Sequence, residues 1–236
     1  VSMKGGRNMW CSKCNIETNE QLCPLCGEAT IEDLPVEIYW CSNCQTPIIQ
    51  TTSQADKGVC PICRRKTKYM STDLRPVFPE ERLLVEIILR KQPNELVENS
   101  VWASNNRYYV DGKSISIPNS LYQETDTDNV VALLHEHRNA NTYAYFDKHT
   151  ENFVSANRDR LNYLKDEAHR FIQDAASRFS EEQIVVSFSG GKDSTVTADL
   201  AAKALSNPSL VHIFGDTTLE FPSTIEYAYR FRANHP

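Results

Sequence analysis

No cysteine follows Cys63 in this 236-residue chain, and nowhere does it offer the run of about 18 apolar residues that a membrane-spanning helix needs. The start, Val1 to Trp10, also lacks the apolar stretch of a signal peptide, so a cytoplasmic protein with no membrane partner is expected. Val1 and Ser2, ahead of Met3, read as a cloning remnant. Positive charge is in deficit as well. The 25 Lys and Arg against 31 Asp and Glu leave a formal net charge of −6, which excludes a generic coating of DNA and restricts any nucleic-acid contact to a local basic patch. The acidity lies outside residues 1–70, where eight basic residues face seven acidic ones. Hydrophobic residues at 40% are enough for one large domain or two small ones, each with its own core.

All eight cysteines stand in Cys-x-x-Cys pairs. Cys11 and Cys14 are separated from Cys23 and Cys26 by eight residues, and Cys41 and Cys44 from Cys60 and Cys63 by fifteen. Each couple of pairs is expected to close one tetrahedral site. Four thiolates suit structural zinc, a borderline-soft ion with no geometry demanded by its d electrons. Iron–sulfur clusters, disulfides and redox dithiols use the same pairs, although a cytoplasmic setting disfavours disulfides. Structural zinc alone does not reveal a function, because such modules bind nucleic acid, bind protein or brace a neighbour. Just after the last ligand, Arg64-Arg65-Lys66-Thr67-Lys68-Tyr69 is the most basic stretch of the chain. It reads either as a grip on phosphates or as a solvated exit strand.

Composition divides the chain into four segments. Residues 3–70 read as two four-cysteine zinc-ribbon modules, held by metal where long apolar runs are missing. Residues 71–128 read as a small α+β segment: Pro79 opens a helix through Leu83, Leu84, Ile87, Ile88 and Leu89, and Asp111-Gly112 is a hairpin signal between Val101–Val110 and Lys113–Ile117. Residues 129–180 read as a helical connector, with one long amphipathic helix from about Thr150. Residues 181–236 give strand Ile184–Phe188, a glycine turn, helix Asp193–Leu205, strand Leu210–Phe214 and a helix from about Pro222. That order opens a parallel α/β sheet.

Gly190 and Gly191 allow a sharp turn after the strand, so successive N–H groups gather at a helix N-terminus where partial positive charge collects. Lys192 adds a full charge, and Ser189, Ser194 and Thr195 add hydroxyls. The loop is not Gly-x-x-x-x-Gly-Lys-Ser/Thr, because Val186 stands at the first glycine position and Asp193 follows the lysine. An ATPase that cleaves the γ-phosphate is therefore disfavoured.

Ser189-Gly190-Gly191-Lys192-Asp193-Ser194 after an apolar strand resembles the PP-loop of the N-type ATP pyrophosphatase (adenine nucleotide alpha hydrolase-like) superfamily. Asp216-Thr217-Thr218-Leu219-Glu220-Phe221-Pro222 is similar to the Asp-Thr-x-x-x-Phe-Pro element of the phosphoadenosine phosphosulfate reductase family, and the paired-cysteine start is similar to the N-terminal extension of its prokaryotic members. The resemblance is specific over 184–232 and loose elsewhere. It implies an enzyme that binds an adenine nucleotide, ATP or an adenylyl sulfate, at the C-terminal ends of the strands. Ser189, Gly190, Gly191, Lys192, Asp193, Ser194 and Thr195 would hold the phosphates, with Phe188 near the adenine. Asp216 and Thr217 would close the site, and Lys192, Asp193 and Asp216 would carry the chemistry. Asp216 would alternatively position Mg2+, or simply cap a helix.

Two departures refine the expectation. The family's reductases attack with a C-terminal cysteine, which this chain lacks, and they tend to carry an altered loop. The intact loop here fits members that split ATP between the α and β phosphates. In addition, only 53 residues run from 184 to 236, too few to cover both faces of a parallel sheet, so a second chain or a continuation is expected to complete the domain. The zinc ribbons would present a nucleic acid or a sulfur-donor protein. A non-catalytic nucleotide-binding and assembly module of a larger complex is the other reading. His135-Glu136-His137 and His149 suggest surface or capping roles before a metal site, and Trp10, Trp40 and Trp102 read as packing residues.

Overall fold

The computed structural model describes residues 9–11, 13–14, 16–18, 20–30, 36–51, 56–105, 107–137 and 142–235. They form a mixed α/β chain in two compact units, 1–158 and 159–236. In chain order the elements are β1 (Met9–Cys11), β2 (Ile16–Thr18), β3 (Val36–Cys41), β4 (Thr46–Thr51), β5 (Lys68–Ser71), β6 (Arg75–Pro76), α1 (Pro79–Ile88), β7 (Val101–Ser104), β8 (Arg107–Val110), β9 (Lys113–Ser116), α2 (Asn119–Gln123), α3 (Thr127–His137), α4 (Ala144–Ala156), α5 (Arg158–Ala176), β10 (Val185–Phe188), α6 (Lys192–Ala204), β11 (Val211–Phe214) and α7 (Pro222–Asn234). Among the described residues no helix is long and apolar enough to cross a membrane.

In the first unit, β1 pairs with β2 inside the first cysteine module, and a three-stranded antiparallel sheet β4-β3-β5 grows from the second. A further antiparallel sheet, β6-β7-β8-β9, follows. The expected single hairpin at Asp111-Gly112 is therefore a three-stranded meander: the 101–110 stretch itself folds back at Asn105 (φ 50°), because its alternation is compatible with one strand or two. Trp40, Trp102, Ile38, Met70 and Tyr109 are buried together, so Trp40 and Trp102 are packing residues as expected. The side chain of Trp10 lies outside the described residues.

Asp111 (φ 48°) and Gly112 (φ 75°) are both left-handed, as a type I′ hairpin turn requires. Gly112 also lies against the Trp40 indole, where an added Cβ would fall 2.2 Å from Trp40 Cγ. The ring is only 4% exposed and has nowhere to retreat. Gly112→Ala is expected to destabilise the first unit by about 3 kcal/mol, from overpacking and backbone strain together. A urea midpoint unchanged from wild type would show that the two sheets separate easily at this contact.

The long helix expected from Thr150 is two helices, α4 and α5, divided at Asn157 (φ −112°, ψ 19°). Asn157 leaves the helical register because its side chain is engaged elsewhere: its Oδ1 accepts from Ile49 N at 2.6 Å and its Nδ2 donates to Pro47 O at 3.0 Å. Apolar spacing continues through the break, so periodicity alone does not reveal it.

The second unit holds β10 and β11 in parallel, paired from Val185↔Val211 to Phe188↔Phe214. Alternate residues Val186 and Phe188 face a core with Ala198 and Ala201 of α6, Leu210, and Phe231 of α7. Val185, Val211 and Ile213 are half exposed on the other side. This two-stranded parallel sheet, with a helix after each strand, is the α/β arrangement the sequence order implies.

Candidate functional site

The turn between β10 and α6 is built by small residues with specific tasks. Gly190 takes φ +75°, and an added Cβ there would meet Thr224 Cγ2 of α7 at 3.0 Å. Gly191 is the N-cap of α6, with no side chain to occupy the helix end. The first helical bond runs from Thr195 N to Gly191 O at 3.1 Å, so the amides ahead of it are the orphan donors of a helix N-terminus. They make a ready anion site where the helix dipole adds to the field.

The hydroxyls hold the loop in shape. Ser194 Oγ donates to Gly191 O at 3.0 Å and accepts from Ser189 N at 3.2 Å and Ser189 Oγ at 3.1 Å. Thr195 Oγ1 donates to Gly191 O at 2.9 Å and lies 3.0 Å from the Tyr227 hydroxyl of α7. Ser194 and Thr195 thus brace the backbone that presents the amides. Lys192 and Asp193 are 88% exposed and pair with each other at 3.1 Å, leaving the ammonium at the mouth of the turn.

At the end of β11, Asp216 Oδ1 accepts from Thr218 N at 2.8 Å in a tight Asx turn, with Thr218 at φ 63°. Thr217 Oγ1 donates to Glu220 Oε1 at 3.0 Å. Helix α7 begins at Pro222 with Phe221 as its N-cap, so Asp216 caps a turn and not a helix. Phe188 is 4% exposed, its ring stacked on Phe231 at 4.1 Å. It also forms part of the wall of an open cavity of about 920 Å³, with Phe214, Asp216, His212, Tyr229 and Arg232. Burial lowers the pKa of His212, with a smaller contribution from His235, so it stands neutral in that wall. Tyr227 and Thr224 contribute to the loop from 30 or more residues downstream, and no local motif points to them.

In the first unit the cysteines gather as their spacing implies. Cys11, Cys14, Cys23 and Cys26 form one cluster, and Cys41, Cys44, Cys60 and Cys63 another, each with its sulfurs within 4.8 Å of one another. The sulfurs of Cys11 and Cys26 are 3.6 Å apart, those of Cys41 and Cys63 3.5 Å, and those of Cys44 and Cys60 3.8 Å. A disulfide needs about 2.05 Å, whereas four thiolates at about 2.3 Å from one ion lie roughly 3.8 Å apart along the tetrahedron's edges. The amides of Cys14 and Cys44 donate to Cys11 Sγ and Cys41 Sγ, each at 3.4 Å. The sulfurs of each cluster are pushed in opposite directions: the Cys26 sulfur pushes Cys14 up to about 12, and burial with the Cys63 and Cys41 sulfurs pushes Cys44 up to about 12, whereas the Arg65 amide draws Cys63 down to about 7 and, against burial, the Cys26 and Leu25 amides draw Cys23 down to about 7. Both clusters fit a tetrahedral metal ion. His135, His137 and His149 join neither cluster; His149 Nε2 is 2.9 Å from Glu98 O inside the first unit.

In the second unit a glycine turn joins a parallel strand to a helix N-terminus, and an aspartate follows the end of the next strand. Residues 183–235, 53 of the 236, match the family model of the phosphoadenosine phosphosulfate reductase domain. The chain is also similar to an uncharacterized protein of Methanocaldococcus jannaschii, at 35% identity over 83 residues. That match takes in 34% of this chain and 20% of the relative, so the chain matches about one fifth of the relative's length. No solved structure matches.

Proposed function

We propose that the second unit binds ATP, or an adenylyl sulfate, with its phosphates on the 189–195 turn, and that it is an enzyme of the phosphosulfate reductase and sulfurtransferase group. The observation that carries this reading is the open set of amides at the start of α6, beside the exposed Lys192 ammonium. Gly190, Gly191, Lys192 and Asp193 contact phosphate oxygens directly. Ser189, Ser194 and Thr195 keep the turn in shape, and Asp216 and Thr217 close the site from β11. Phe188 backs the adenine through the cavity wall. Asp216 also suits Mg2+, which takes one or two carboxylates and completes its octahedron with phosphate oxygens and water.

With ATP, an acceptor forms a bond to the α-phosphorus, the bridging oxygen bond between the α and β phosphates breaks, and pyrophosphate leaves with the negative charge. Lys192 and the loop amides neutralise that charge as it develops. This step needs no protein thiol. The two cysteine clusters hold structural zinc in this reading. The sheet face of Val185, Val211 and Ile213 is where a further part of the fold, from this polypeptide or another chain, would pack.

Calorimetric titration of ATP and of adenosine phosphosulfate with Mg2+ tests the site. Lys192→Ala is expected to weaken the preferred nucleotide by roughly 10- to 100-fold, the worth of one hydrogen bond to a charged group. Equal affinity in wild type and variant would remove Lys192 from the phosphate site. Turnover separates enzyme from module: pyrophosphate and AMP in solution signal catalysis, whereas binding without pyrophosphate release would make the domain a nucleotide-binding assembly module.

A further inference from the structure

The C-terminal knuckles of the two cysteine modules are copies of one another. Cys23 N donates to Glu28 O at 2.8 Å and Gly27 N to Cys23 O at 2.8 Å; in the second module Cys60 N donates to Arg65 O at 2.9 Å and Arg64 N to Cys60 O at 2.9 Å. Thr30 N donates to Gln21 O at 2.9 Å, and Thr67 N to Gly58 O at 2.8 Å. Even the bridges correspond, Leu22 with Ala29 and Val59 with Lys66. Gly27-Glu28-Ala29-Thr30 therefore occupies the same backbone as Arg64-Arg65-Lys66-Thr67. Since Gly-Glu-Ala builds the turn and its sulfur cluster in the first module, neither feature requires Arg-Arg-Lys in the second.

Arg64 even works against its own turn. It sits at φ 58°, where Gly27 sits at 72° without a Cβ penalty. Gln45, after Cys44, has φ 51°, so side chains are tolerated at such positions but under strain. In return the second module displays cations. The Arg64 side chain is 72% exposed and, among the described residues, pairs with the carboxylate of Asp56 alone, at 3.6 Å. Arg65, Lys66 and Lys68 are exposed and have no carboxylate partner among the described residues. Residues 56–71 hold five basic residues and one acidic in a chain of net charge −6; Lys57 is taken up by Glu37 at 2.6 Å, which leaves Arg64, Arg65, Lys66 and Lys68 against Asp56. That excess outweighs the roughly two negative charges of a four-thiolate zinc centre. In the first module, by contrast, Lys13 is neutralised by Glu28 at 3.0 Å.

The cations end at an aromatic. Tyr69 is 52% exposed, its ring held edge-on to Tyr39 at 5.8 Å and 79°. We propose that the Arg64–Tyr69 segment binds a single-stranded nucleic acid along the edge where the second knuckle enters β5, with Arg64, Arg65, Lys66 and Lys68 on its phosphates and Tyr69 stacked on a base. An exposed, pre-oriented ring that follows directly on a row of cations in the chain serves unpaired bases, which a duplex keeps stacked away. This inference goes beyond the adenine-nucleotide reading and rests on the first unit alone, so either can fail without the other.

The first module supplies the control. In the graft Arg64→Gly, Arg65→Glu, Lys66→Ala, the second knuckle receives the residues that already build the first. Metal content and melting temperature are expected to hold, or the latter to rise, because glycine relieves the left-handed position. Fluorescence anisotropy would use the whole chain with labelled oligo(U), oligo(dT) and duplex DNA of about 12 nucleotides or base pairs, in roughly 50 and 200 mM salt. Wild type is expected to bind one or both single strands more tightly than duplex. The graft should bind at least tenfold more weakly, with a log–log salt slope shallower by roughly 2, for three lost phosphate contacts at about 0.7 each. Tyr69→Ala should cost roughly tenfold and leave that slope unchanged. Preference for oligo(U) would mark RNA as the source and preference for oligo(dT) DNA. Should the graft lose metal, Lys66→Ala with Lys68→Ala, both exposed, makes the same test. A folded, metal-loaded variant that binds like wild type, tighter duplex binding, or no binding by wild type overturns the proposal.

Discussion

Stripping metal from Cys41, Cys44, Cys60 and Cys63 is expected to dissolve the β4-β3-β5 sheet. Strands β3 and β4 leave and enter through Cys41 and Thr46, and β5 begins five residues after Cys63. The buried cluster around this site is small, Ile48 and Ala156 beside Cys41 and Cys60 themselves. Structural zinc contributes about 10–16 kcal/mol to such a module, comparable to the whole stability of an ordinary domain. The expected result is two zinc equivalents per chain by elemental analysis, and loss of β-sheet circular dichroism and of Trp40 burial on adding a strong chelator. Cys60→Ser should leave one equivalent. The core of residues 184–231 includes no cysteine, so the second unit should keep its own cooperative melt. Iron in place of zinc would show as visible absorption. A chelated protein with an unchanged spectrum and urea midpoint would mean that packing, not metal, holds the sheet.

A comparably large loss is expected from a single carboxylate. Glu86 of α1 is fully buried and accepts from Asn94 N at 2.6 Å and Leu96 N at 2.7 Å, tying the 89–99 loop to the helix. Arg82, one turn earlier and 5% exposed, stands 3.5 Å away through its Nε and donates from Nη2 to Asn94 Oδ1 at 3.0 Å. Burial lowers the Arg82 pKa, and the negative Glu86 opposes that shift. Glu86→Ala would strand two buried amides and remove the nearest negative charge from a buried guanidinium, at an expected cost of about 3–5 kcal/mol. Glu86→Gln keeps one acceptor and should cost about 1–3 kcal/mol. Both are read from urea denaturation with metal held in excess. Exposed pairs such as Arg90–Glu124, at 2.8 Å, provide the contrast, since their removal should change stability by less than about 1 kcal/mol. Equal losses at the two places would mean that the 89–99 loop does not depend on Glu86.

The parts legible in the sequence are those where a residue type has few alternatives. Cysteine pairs at metal spacing assemble into two four-sulfur clusters, and the glycines of the 189–195 turn occupy the position their backbone freedom suits. Strand β10, helix α6, strand β11 and helix α7 lie within a residue or so of the expected places, because each has a short apolar run or a proline start. What escaped was decided by contacts distant in sequence. Asn157 breaks a continuous apolar stripe because strand β4 engages its amide. Thr224 and Tyr227 reach the phosphate turn from α7, and nothing near them announces it. The direction of the Ser194 and Thr195 hydroxyls, back onto Gly191 O, depends on helix geometry that the motif does not express. The two knuckles share Cys-Pro-Leu-Cys and Cys-Pro-Ile-Cys in the sequence, and the shared backbone bonds extend the likeness through Arg64, which stands where Gly27 does.

Asn157 also governs what β4 can do to other molecules. As an outer strand of its sheet, β4 carries a row of backbone groups that an unrelated strand could recruit. One carboxamide imitates a peptide group there, taking the Ile49 N–H and the Pro47 carbonyl, and the proline itself has no N–H to give. The strand is thereby terminated sideways by a helix end, and the sheet cannot seed runaway growth into an aggregate along that border.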